Sequence, residues 1–485
     1  MNIKKLLTLA FAAAYMISCS NTDQPYYPPP SVATEGEEVG TVQMWETSGN
    51  QNLLLSAQPE LSIYDSPSTS NPSVTVDEGT MYQEIDGFGA ALTGSSAYVI
   101  KNNLSAGQKT NLLNALFSPS EGAGISYLRL TIGASDFSLE DFTYDDMPAG
   151  QEDPDLDNFS IAKDEVNIIP VLTEIKTIAP EVSIMGSPWS APAWMKTGQD
   201  LHGGKLEAQW YDTYANYFVK YIDAYAGHGI TIDAITPQNE PLHESGYPSM
   251  RMEAAEQADF IKNSLGPAFA SNAIDTKIIA YDHNFDVPGY PMTVFNDADA
   301  SQYVAGSAFH AYAGNVSAMG QVHNAFPDKE LYFTEISGGD WSPDFAGNLV
   351  WYTKNIMIGT TENWSRNALF WNLALNENAG PTNNGCQDCR GVVTVTSGGE
   401  VTKNEEYYTL AHFAKFVRPG AHRIASSEFD GSTGLSNVAF INTDGGKVMV
   451  ILNESPVAQD FSVILGENRI DGTIEGTSVA TITWQ

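Results

Sequence analysis

The chain has 485 residues, of which 42% are apolar and 11% aromatic, enough to bury a sizeable core in two or three domains. Its 59 acidic residues outnumber 23 basic ones. The resulting formal net charge of -36 repels phosphate backbones and anionic membrane surfaces. The composition therefore argues against nucleic acid as a partner and favours a neutral or cationic one.

The N-terminus has the pattern of an export signal. Two lysines, Lys4 and Lys5, precede an apolar run over residues 6–17, which is too short to span a bilayer. Residues 16–19 resemble a bacterial lipobox, so residues 1–19 are interpreted as a lipoprotein signal peptide and Cys19 as the lipid anchor. We expect an exported bacterial lipoprotein on the outer membrane or cell surface, with the periplasmic side as an alternative. An ordinary secretory signal remains the other interpretation.

The two ends of the chain have the pattern of one β-sandwich. Residues 20–40, with four prolines and several acids, are predicted to form a flexible tether. Residues 41–79 contain short alternating segments that are too few to form a core alone, and residues 416–485 show longer runs of the same kind. We therefore expect both ends to build one β-sandwich, with the central segment inserted between its strands.

The segment 80–415 repeats a strand, a loop and a helix. This pattern predicts a (β/α)8 TIM barrel, whose active site lies at the carboxyl ends of its strands. A doubly wound sheet is the rival fold, but no glycine-rich phosphate loop follows the first strand. The predicted strands are 87–92, 127–132, 183–188, 232–238, 277–281, 307–310, 330–334 and 368–372, and the predicted helices include 105–117, with Ser105 as N-cap, 163–177, 207–226 and 253–265.

Two glutamates stand at the ends of predicted strands. Glu240 follows Asn239 at the end of the fourth strand, and Glu335 ends the seventh. Strands four and seven face each other across the mouth of a barrel, so the two carboxyl groups are expected to lie close together. Carboxyl groups about 5–5.5 Å apart support retaining glycoside hydrolysis, whereas about 6.5–9.5 Å supports inversion.

Other strand ends carry groups suited to a sugar. Indole faces stack on the apolar faces of sugar rings, while histidine, asparagine and arginine side chains hydrogen-bond hydroxyls. Five of the eight strands end in such a residue, which is more than core packing explains. The predicted substrate-binding residues are Arg129, Asp136, Trp189, Asn239, His310, Tyr312, Trp371 and Asn372, with His283 at a neighbouring strand end.

Eight motifs in order along the chain resemble glycoside hydrolase family 30, which includes glucosylceramidases and microbial β-1,6-glucanases. The resemblance implies retaining hydrolysis, with Glu240 as acid/base, Glu335 as nucleophile and Asn239 bound to the sugar 2-hydroxyl. It maps the other predicted binding residues onto the subsite of the cleaved sugar. The motifs occupy residues 83–97, 127–138, 187–197, 236–250, 309–312, 333–339, 371–381 and 407–424.

The chain departs from the family pattern after Glu240 and within residues 376–390, which border the leaving-group side. The second segment contains Cys386 and Cys389, for which a loop disulfide is favoured over a zinc site because a single CxxC is a weak metal signal. No metal and no cofactor is expected to be needed.

Four functions remain open from the sequence. An endo-acting β-1,6-glucanase is favoured, because a lipid-anchored, acidic, exported enzyme suits a neutral polysaccharide and would touch the membrane only through its anchor. A glucosylceramidase is the next alternative, and a xylan-type substrate comes third. A glycan-binding protein that has lost catalysis is the alternative from another class, although both glutamates and Asn239 are retained.

Overall fold

A computed structural model describes residues 36–485 and shows a barrel joined to a β-sandwich. The signal peptide, the anchor residue Cys19 and most of the tether lie outside the described residues. Within residues 36–485, no helix has the length and hydropathy required to cross a membrane.

The barrel has eight parallel strands in sequential order around a nearly closed sheet. The first strand pairs with the eighth, and the seventh approaches the eighth through Leu331, which pairs with Ser365, and through the Phe333 amide, which donates to Asn367 Oδ1 at 2.8 Å. The strands are β1 (Gly87–Ala91), β2 (Tyr127–Ile132), β3 (Ser183–Pro188), β4 (Ala234–Ile235), β5 (Lys277–Asn284), β6 (Val304–His310), β7 (Glu330–Glu335) and β8 (Asn367–Phe370). The predicted fold is confirmed.

One inward-facing side chain from each of seven strands fills the middle of the barrel. They form a buried cluster, which makes the interior a packed core on which the site stands. Its members are Tyr127, Met185, Ala234, Ile279, Ala308, Tyr332 and Leu369.

Helices cover the outside of the barrel. Ser105 caps the second helix through a capping box with Gln108, as its sequence predicts. The α-helices are Gly94–Asn102, Ala106–Phe117, Ile168–Ile178, Tyr211–Gly227, Ala254–Phe260, Gly266–Ser271, Gly289–Asn296, Ala298–Ser301, Ser317–Ala325, Phe345–Trp351, Gly359–Glu362 and Glu405–Ala414; 3-10 turns span Ala193–Met195 and Ala208–Trp210, and π-helical turns span Ile261–Leu265 and Tyr352–Ile358.

Several predicted boundaries were wrong. The fourth strand, predicted over 232–238, is regular only at Ala234–Ile235, because Pro237 interrupts the ladder after the Thr236 amide donates to Gly186. The helix predicted over 163–177 begins five residues later, at Ile168. Short strands in the loops after β7 and β8, which were not predicted, are Gly338–Gly339, Ala374–Leu375, Cys389–Arg390, Val393–Val395 and Val401–Lys403.

The sandwich is built from both chain ends, as predicted. The N-terminal strand Glu38–Ser48 pairs with the C-terminal strand Ser478–Trp484 in one layer and with Leu61–Tyr64 in the other. Its remaining strands are Ser56–Ala57, Ser73–Ile85, Ala421–Ser426, Leu435–Ile441, Lys447–Asn453, Gln459–Leu465 and Asn468–Ile474. Because the first strand begins at Glu38, the tether predicted over 20–40 extends three residues too far.

The helix Glu405–Ala414 joins the two domains. Phe413 packs edge-on against Phe88 of the barrel and Phe440 of the sandwich, with ring centroids 5.5 and 6.2 Å apart. His412 is buried beside it and hydrogen-bonds Thr47 and Thr481, one from each chain end, at 2.9 and 2.8 Å. Both chain ends therefore contribute to the interface between the barrel and the sandwich.

Candidate active site

A cleft of about 400 Å³ opens at the carboxyl ends of the barrel strands. It contains both predicted catalytic residues, and three of the predicted binding residues lie in its wall. The lining residues are Asp136, Glu240, His243, Tyr247, His283, Asn284, Tyr312, Glu335, Ser337, Trp341, Trp371, Cys386 and Cys389.

The two glutamates meet in this cleft. Glu335 is the last residue of β7, and Glu240 follows β4 with a positive φ of 42°, an uncommon conformation for a residue with a side chain. The Glu240 amide donates to the Asp282 carbonyl at 3.0 Å, which holds that turn in place. A carboxylate oxygen of Glu240 and one of Glu335 lie within 4.8 Å of each other. A closest approach of this size agrees with the retaining arrangement, whose carboxyl groups lie about 5–5.5 Å apart, better than with the inverting one at about 6.5–9.5 Å.

Arg129 connects the nucleophile candidate to the strands around it. Its Nη1 donates to Glu335 at 2.5 Å, and its Nη2 donates to Asn239 and Asp282, both at 2.7 Å. The Tyr312 hydroxyl donates to the other oxygen of Glu335 at 3.0 Å. Donors to both oxygens fix the orientation of this carboxylate and stabilise its charged form.

His310 bridges Glu240 and a second carboxylate. Its Nδ1 lies 3.0 Å from Glu240, and its Nε2 lies 3.1 Å from Asp282. Burial opposes a charge on this ring, but Glu335, Asp282 and Glu240 outweigh burial and raise the pKa of His310 to about 9. His310 is therefore an imidazolium at neutral pH and donates from both nitrogens.

Asp282 is the centre of the buried network, and the sequence analysis did not identify it. Burial raises its pKa, but the charges of Arg129 and His310 and several hydrogen bonds reverse this effect and bring the pKa well below the ordinary value. It accepts hydrogen bonds from Arg129, Ser187, Thr236, His310 and Thr334. Donors on β2, β3, β6 and β7, and one directly after β4, therefore converge on one carboxylate, an arrangement that pairwise spacing in the sequence does not reveal.

The pKa values of the two glutamates are displaced in opposite directions. Burial raises the pKa of Glu335 and the charge on Glu240 adds to this, against the opposing effects of His310 and Arg129. At Glu240 burial is outweighed by the hydrogen bond and charge of His310, and the pKa is lowered. Without substrate, Glu240 is therefore a carboxylate paired with the imidazolium of His310.

Asp136 has a different electrostatic character. Burial, together with the charges of Glu335 and Glu240, raises its pKa well above the ordinary value, so it is a neutral acid that can donate to a sugar hydroxyl. Its Oδ1 is buried without a hydrogen-bond partner among residues 36–485. Beside it, the rings of Trp189 and Trp371 stack with centroids 4.9 Å apart, and the Arg129 guanidinium lies 4.9 Å from the Trp189 ring.

Asn372 is not brought to the cleft wall. It is fully buried, and its Oδ1 accepts from Thr93 at 2.7 Å, while its Nδ2 has no hydrogen-bond partner among residues 36–485. A role in substrate binding stays a prediction for this residue. Cys386 and Cys389 are joined in a disulfide, as predicted, and both line the cleft.

The grouping best able to hold a cation among residues 36–485 is the catalytic one. Ligand atoms of Glu240, His310 and Glu335 lie within 4.8 Å of one another. Each of these groups already has a hydrogen-bond partner in the network, and paired carboxyl groups supply the acid and the nucleophile that glycoside hydrolysis uses.

Three aromatic rings of the wall were not predicted as site residues: His243, Tyr247 and Trp341. The first two lie in the segment 236–250, just after Glu240, and the third follows Glu335 by six residues. An aromatic residue in a loop directly after a catalytic strand is a signal that could have identified them.

The chain belongs to glycoside hydrolase family 30. Residues 85–417 match the family's TIM-barrel domain, and residues 420–482 match its β-sandwich domain. This membership, the fold and the paired carboxylates define the protein as a glycoside hydrolase.

Individual relatives support this conclusion. The chain is 39% identical to Endo-1,6-β-D-glucanase neg1 of Aspergillus fumigatus over 84% of its length and 86% of the relative's. It is 31% identical to the lysosomal acid glucosylceramidase of Mus musculus over 85% and 83% of the two chains. Among solved structures, the endo-β1,6-glucanase BT3312 superposes with a TM-score of 0.86 at 35% identity, over 92% of this chain and 99% of that one.

Proposed function

We propose that the protein is an endo-β-1,6-glucanase that works by retaining double displacement. The observation that carries this proposal is the pair of carboxylates, Glu240 and Glu335, with oxygens within 4.8 Å of each other on facing strands. The substrate class is supported by relatives named endo-1,6-β-glucanases at 39% and 37% identity, against 31% for the mouse glucosylceramidase.

Glu335 is proposed as the nucleophile and Glu240 as the acid/base. In the first step a Glu335 oxygen bonds to the anomeric carbon, the glycosidic bond breaks, and the departing oxygen takes a proton from Glu240. In the second step water attacks the glycosyl ester and gives its proton to Glu240, and the ester bond electrons return to Glu335. Arg129 and Tyr312 hold the attacking carboxylate in its orientation through their hydrogen bonds.

The proton that Glu240 needs is available within the site. Glu240 is charged without substrate, but His310 Nδ1 lies 3.0 Å from its oxygen and carries a proton. Transfer along this hydrogen bond gives a neutral imidazole and a protonated Glu240, while Asp282 keeps the ring in place at Nε2. His310 is thus proposed as the proton source for Glu240. Because the pKa of His310 lies above that of Glu240 in the substrate-free site, the transfer is proposed to follow substrate binding.

The roles are tested by choice of leaving group. Dinitrophenolate departs without protonation, so Glu240→Ala is expected to lose most activity on β-1,6-glucan yet to form its glycosyl ester on a dinitrophenyl β-glucoside and then stall. Azide needs no general base and can occupy the space of the missing carboxylate. It is expected to restore turnover and to yield the β-glucosyl azide, because two inversions preserve configuration.

Glu335→Ala gives the opposite product under the same roles. Azide attacks directly from the nucleophile's face in one inversion, so the α-glucosyl azide is expected. If Glu240→Ala yields the α product, or if azide rescues neither variant, the assigned roles or the retaining mechanism are wrong. The anomers are distinguished by proton NMR of the products.

Substrate class is tested separately with a panel of linear β-1,6-glucan, β-1,3-glucan, xylan and glucosylceramide. Release of oligosaccharides of several lengths from β-1,6-glucan at early times is the expected endo pattern. Preferential cleavage of glucosylceramide would favour the alternative suggested by the mouse relative. Binding of glucan without turnover of any substrate, aryl glucosides included, would identify a glycan-binding protein instead.

We also propose that Cys19 carries lipid and tethers the enzyme to a membrane, from the lipobox-like residues 16–19. Cys19→Ala expressed in a bacterial host is expected to release the protein from the membrane fraction with its specific activity kept, since a Pro-rich segment separates anchor and barrel. Lipid labelling that persists in this variant would contradict the proposal.

A further inference from the structure

One large aromatic side chain at the cleft is more than half exposed. Trp341 lines the cleft with the two catalytic glutamates, yet 53% of it is exposed. Ligand clefts are lined by aromatic side chains together with a few polar groups, so an exposed indole inside this cleft is a candidate ligand contact. The other indole in the cleft wall, Trp371, is buried and belongs to the base of the site.

The Trp341 ring packs against Gly339, at a position where only glycine leaves room for it. A Cβ built on Gly339 would lie 1.9 Å from Cζ3 of the indole and 2.4 Å from the Asp388 carbonyl, so a side chain there would displace the ring or the backbone. The turn is closed by the Ser342 amide, which donates to the Gly339 carbonyl at 3.2 Å, and Asn348 Nδ2 donates to the Ser342 carbonyl at 2.6 Å. The backbone of this turn is therefore fixed, and the exposed ring lies against Gly339.

The segment around Gly339 is also held by a neighbouring strand. The strand Gly338–Gly339 pairs with Cys389–Arg390, which the disulfide to Cys386 closes on the cleft side. Arg390 forms ion pairs with the buried carboxylates of Glu405 and Glu406 at the start of the helix that joins the domains. The backbone around Trp341 is therefore already ordered before any ligand binds, which favours binding because less order has to be gained.

We propose that Trp341 is the stacking platform for a second glucosyl unit of the substrate, next to the unit whose bond is cleaved. This inference rests on the proposed glucanase function. The buried groups Asp136, Glu335 and Trp371 surround the deep part of the cleft, where the reacting sugar lies, and Trp341 stands at its rim. The exposed indole face complements the apolar face of a pyranose ring. An aromatic platform beyond the catalytic pair lets the site engage the interior of a chain.

Binding is measured without turnover in the Glu335→Gln background by titration calorimetry with β-1,6-linked gluco-oligosaccharides of two to five units. Adding Trp341→Ala is expected to weaken binding of these oligosaccharides about tenfold, as for other aromatic anchors at interfaces. Trp341→Phe is expected to recover part of the affinity and Trp341→Leu less, because stacking needs a flat face.

Trp351 is the matched control. It is also a tryptophan, 43% exposed, in the helix Phe345–Trp351 outside the cleft wall. In otherwise wild-type enzyme, Trp341→Ala is expected to lower the ratio of kcat/KM on β-1,6-glucan to that on an aryl β-glucoside about tenfold, and Trp351→Ala to leave the ratio within twofold. Unchanged thermal midpoints check that each variant is folded.

The outcomes separate the subsite from the proposed function. If Trp341→Ala and Trp351→Ala give the same ratio and the same oligosaccharide affinity, the platform is overturned while the glucanase function stands. If wild-type enzyme cleaves the aryl glucoside but no β-1,6-glucan, the substrate class fails. In that case a loss of affinity for the substrate that is cleaved, caused by Trp341→Ala alone, would still support the platform.

Discussion

The two ends of the barrel carry ionic clusters of the same residue types under opposite conditions. At the catalytic end, Arg129 and Asp282 are fully buried and the charged groups around them are nearly so. At the opposite end, Arg366 and Lys277 pair with Asp86 and Glu330 through side chains that are 16% to 38% exposed.

The difference appears in the protonation of the carboxyl groups. At the amino end, burial raises the pKa of Glu330, but hydrogen bonds from Lys277 and Tyr332 and the charge of Arg366 outweigh burial and lower it. Asp86 and Glu330 share both cations there, in contact with solvent. At the catalytic end, Asp136, Glu240 and Glu335 lie close together and are shielded from solvent, and their pKa values diverge. Solvent access and the balance of charge thus separate a stabilising cluster from a reactive one.

The largest expected effect on activity is that of Glu335→Gln, which is compared with the same substitution at the other end of β7. Glu335→Gln is expected to lower kcat on an aryl β-glucoside by at least about a thousandfold, about 4 kcal/mol of barrier, because the amide cannot form the glycosyl ester. Glu330→Gln, at the other end of β7, makes the same chemical change and is expected to keep activity within about threefold. Activity of Glu335→Gln within tenfold of wild type would contradict the nucleophile assignment.

Asp282→Asn tests the centre of the catalytic network. We expect kcat/KM to fall about a hundredfold, about 2.7 kcal/mol, because Arg129 and His310 lose the anion that positions them. The pKa of His310 is raised partly by Asp282, so removing this charge lowers it. The alkaline limb of the pH profile is therefore expected to move to lower pH, whereas Asp86→Asn should leave it in place.

A loss of activity in Asp282→Asn with an unchanged pH profile would mean that Asp282 acts only in folding. Thermal unfolding of both asparagine variants distinguishes that case, since a folding defect lowers the midpoint along with the activity.

Arg366→Met tests the opposite end. Removal of the guanidinium leaves Asp86 and Glu330 short of a partner, and we expect the free energy of unfolding to fall by about 1–3 kcal/mol, less than for a fully buried pair because solvent screens these groups. Activity measured well below the midpoint is expected to stay within twofold. Adding Asp86→Asn should recover part of the loss, and a strictly additive double variant would show that the pair is not coupled.

His412 belongs to neither cluster and is expected to have the smallest effect at neutral pH. Burial lowers its pKa to about 3, against an ordinary value of 6.5, so the neutral ring contributes stability above about pH 6.5 that is lost as the pH falls towards 3. At pH 7, His412→Gln should cost about 1 kcal/mol in urea unfolding, and below pH 6 its stability should fall less steeply than that of wild type.

If the free energies of unfolding of wild type and His412→Gln fall in parallel from pH 7 to pH 4, His412 does not set the acid sensitivity of the protein. His228→Gln, on the barrel surface, serves as the matched control.

The fold and the proximity of Glu240 and Glu335 were predictable because they depend on local patterns. Alternating runs and capping signals located the strands and helices. The strand end followed by Asn239 and Glu240 could be identified without knowledge of the tertiary contacts. Pro237 is equally plain in the sequence, but its effect on the length of β4 is not. Carbonyl groups of β3 continue to accept hydrogen bonds from the loop after β4, so the end of the regular strand depends on these contacts. Boundaries therefore depended on the tertiary partners.

What only the tertiary structure decided is how charges are shared. Asp282 carries no distinguishing pattern in the sequence, yet barrel closure brings donors from four other strands and their loops to its carboxylate. Asn372 is likewise hydrogen-bonded to Thr93, which follows a strand that is distant in sequence. The amino-acid sequence determines which ionisable groups exist; burial and the distances between strands determine their protonation, because Coulomb energies depend on separation and on the surrounding dielectric.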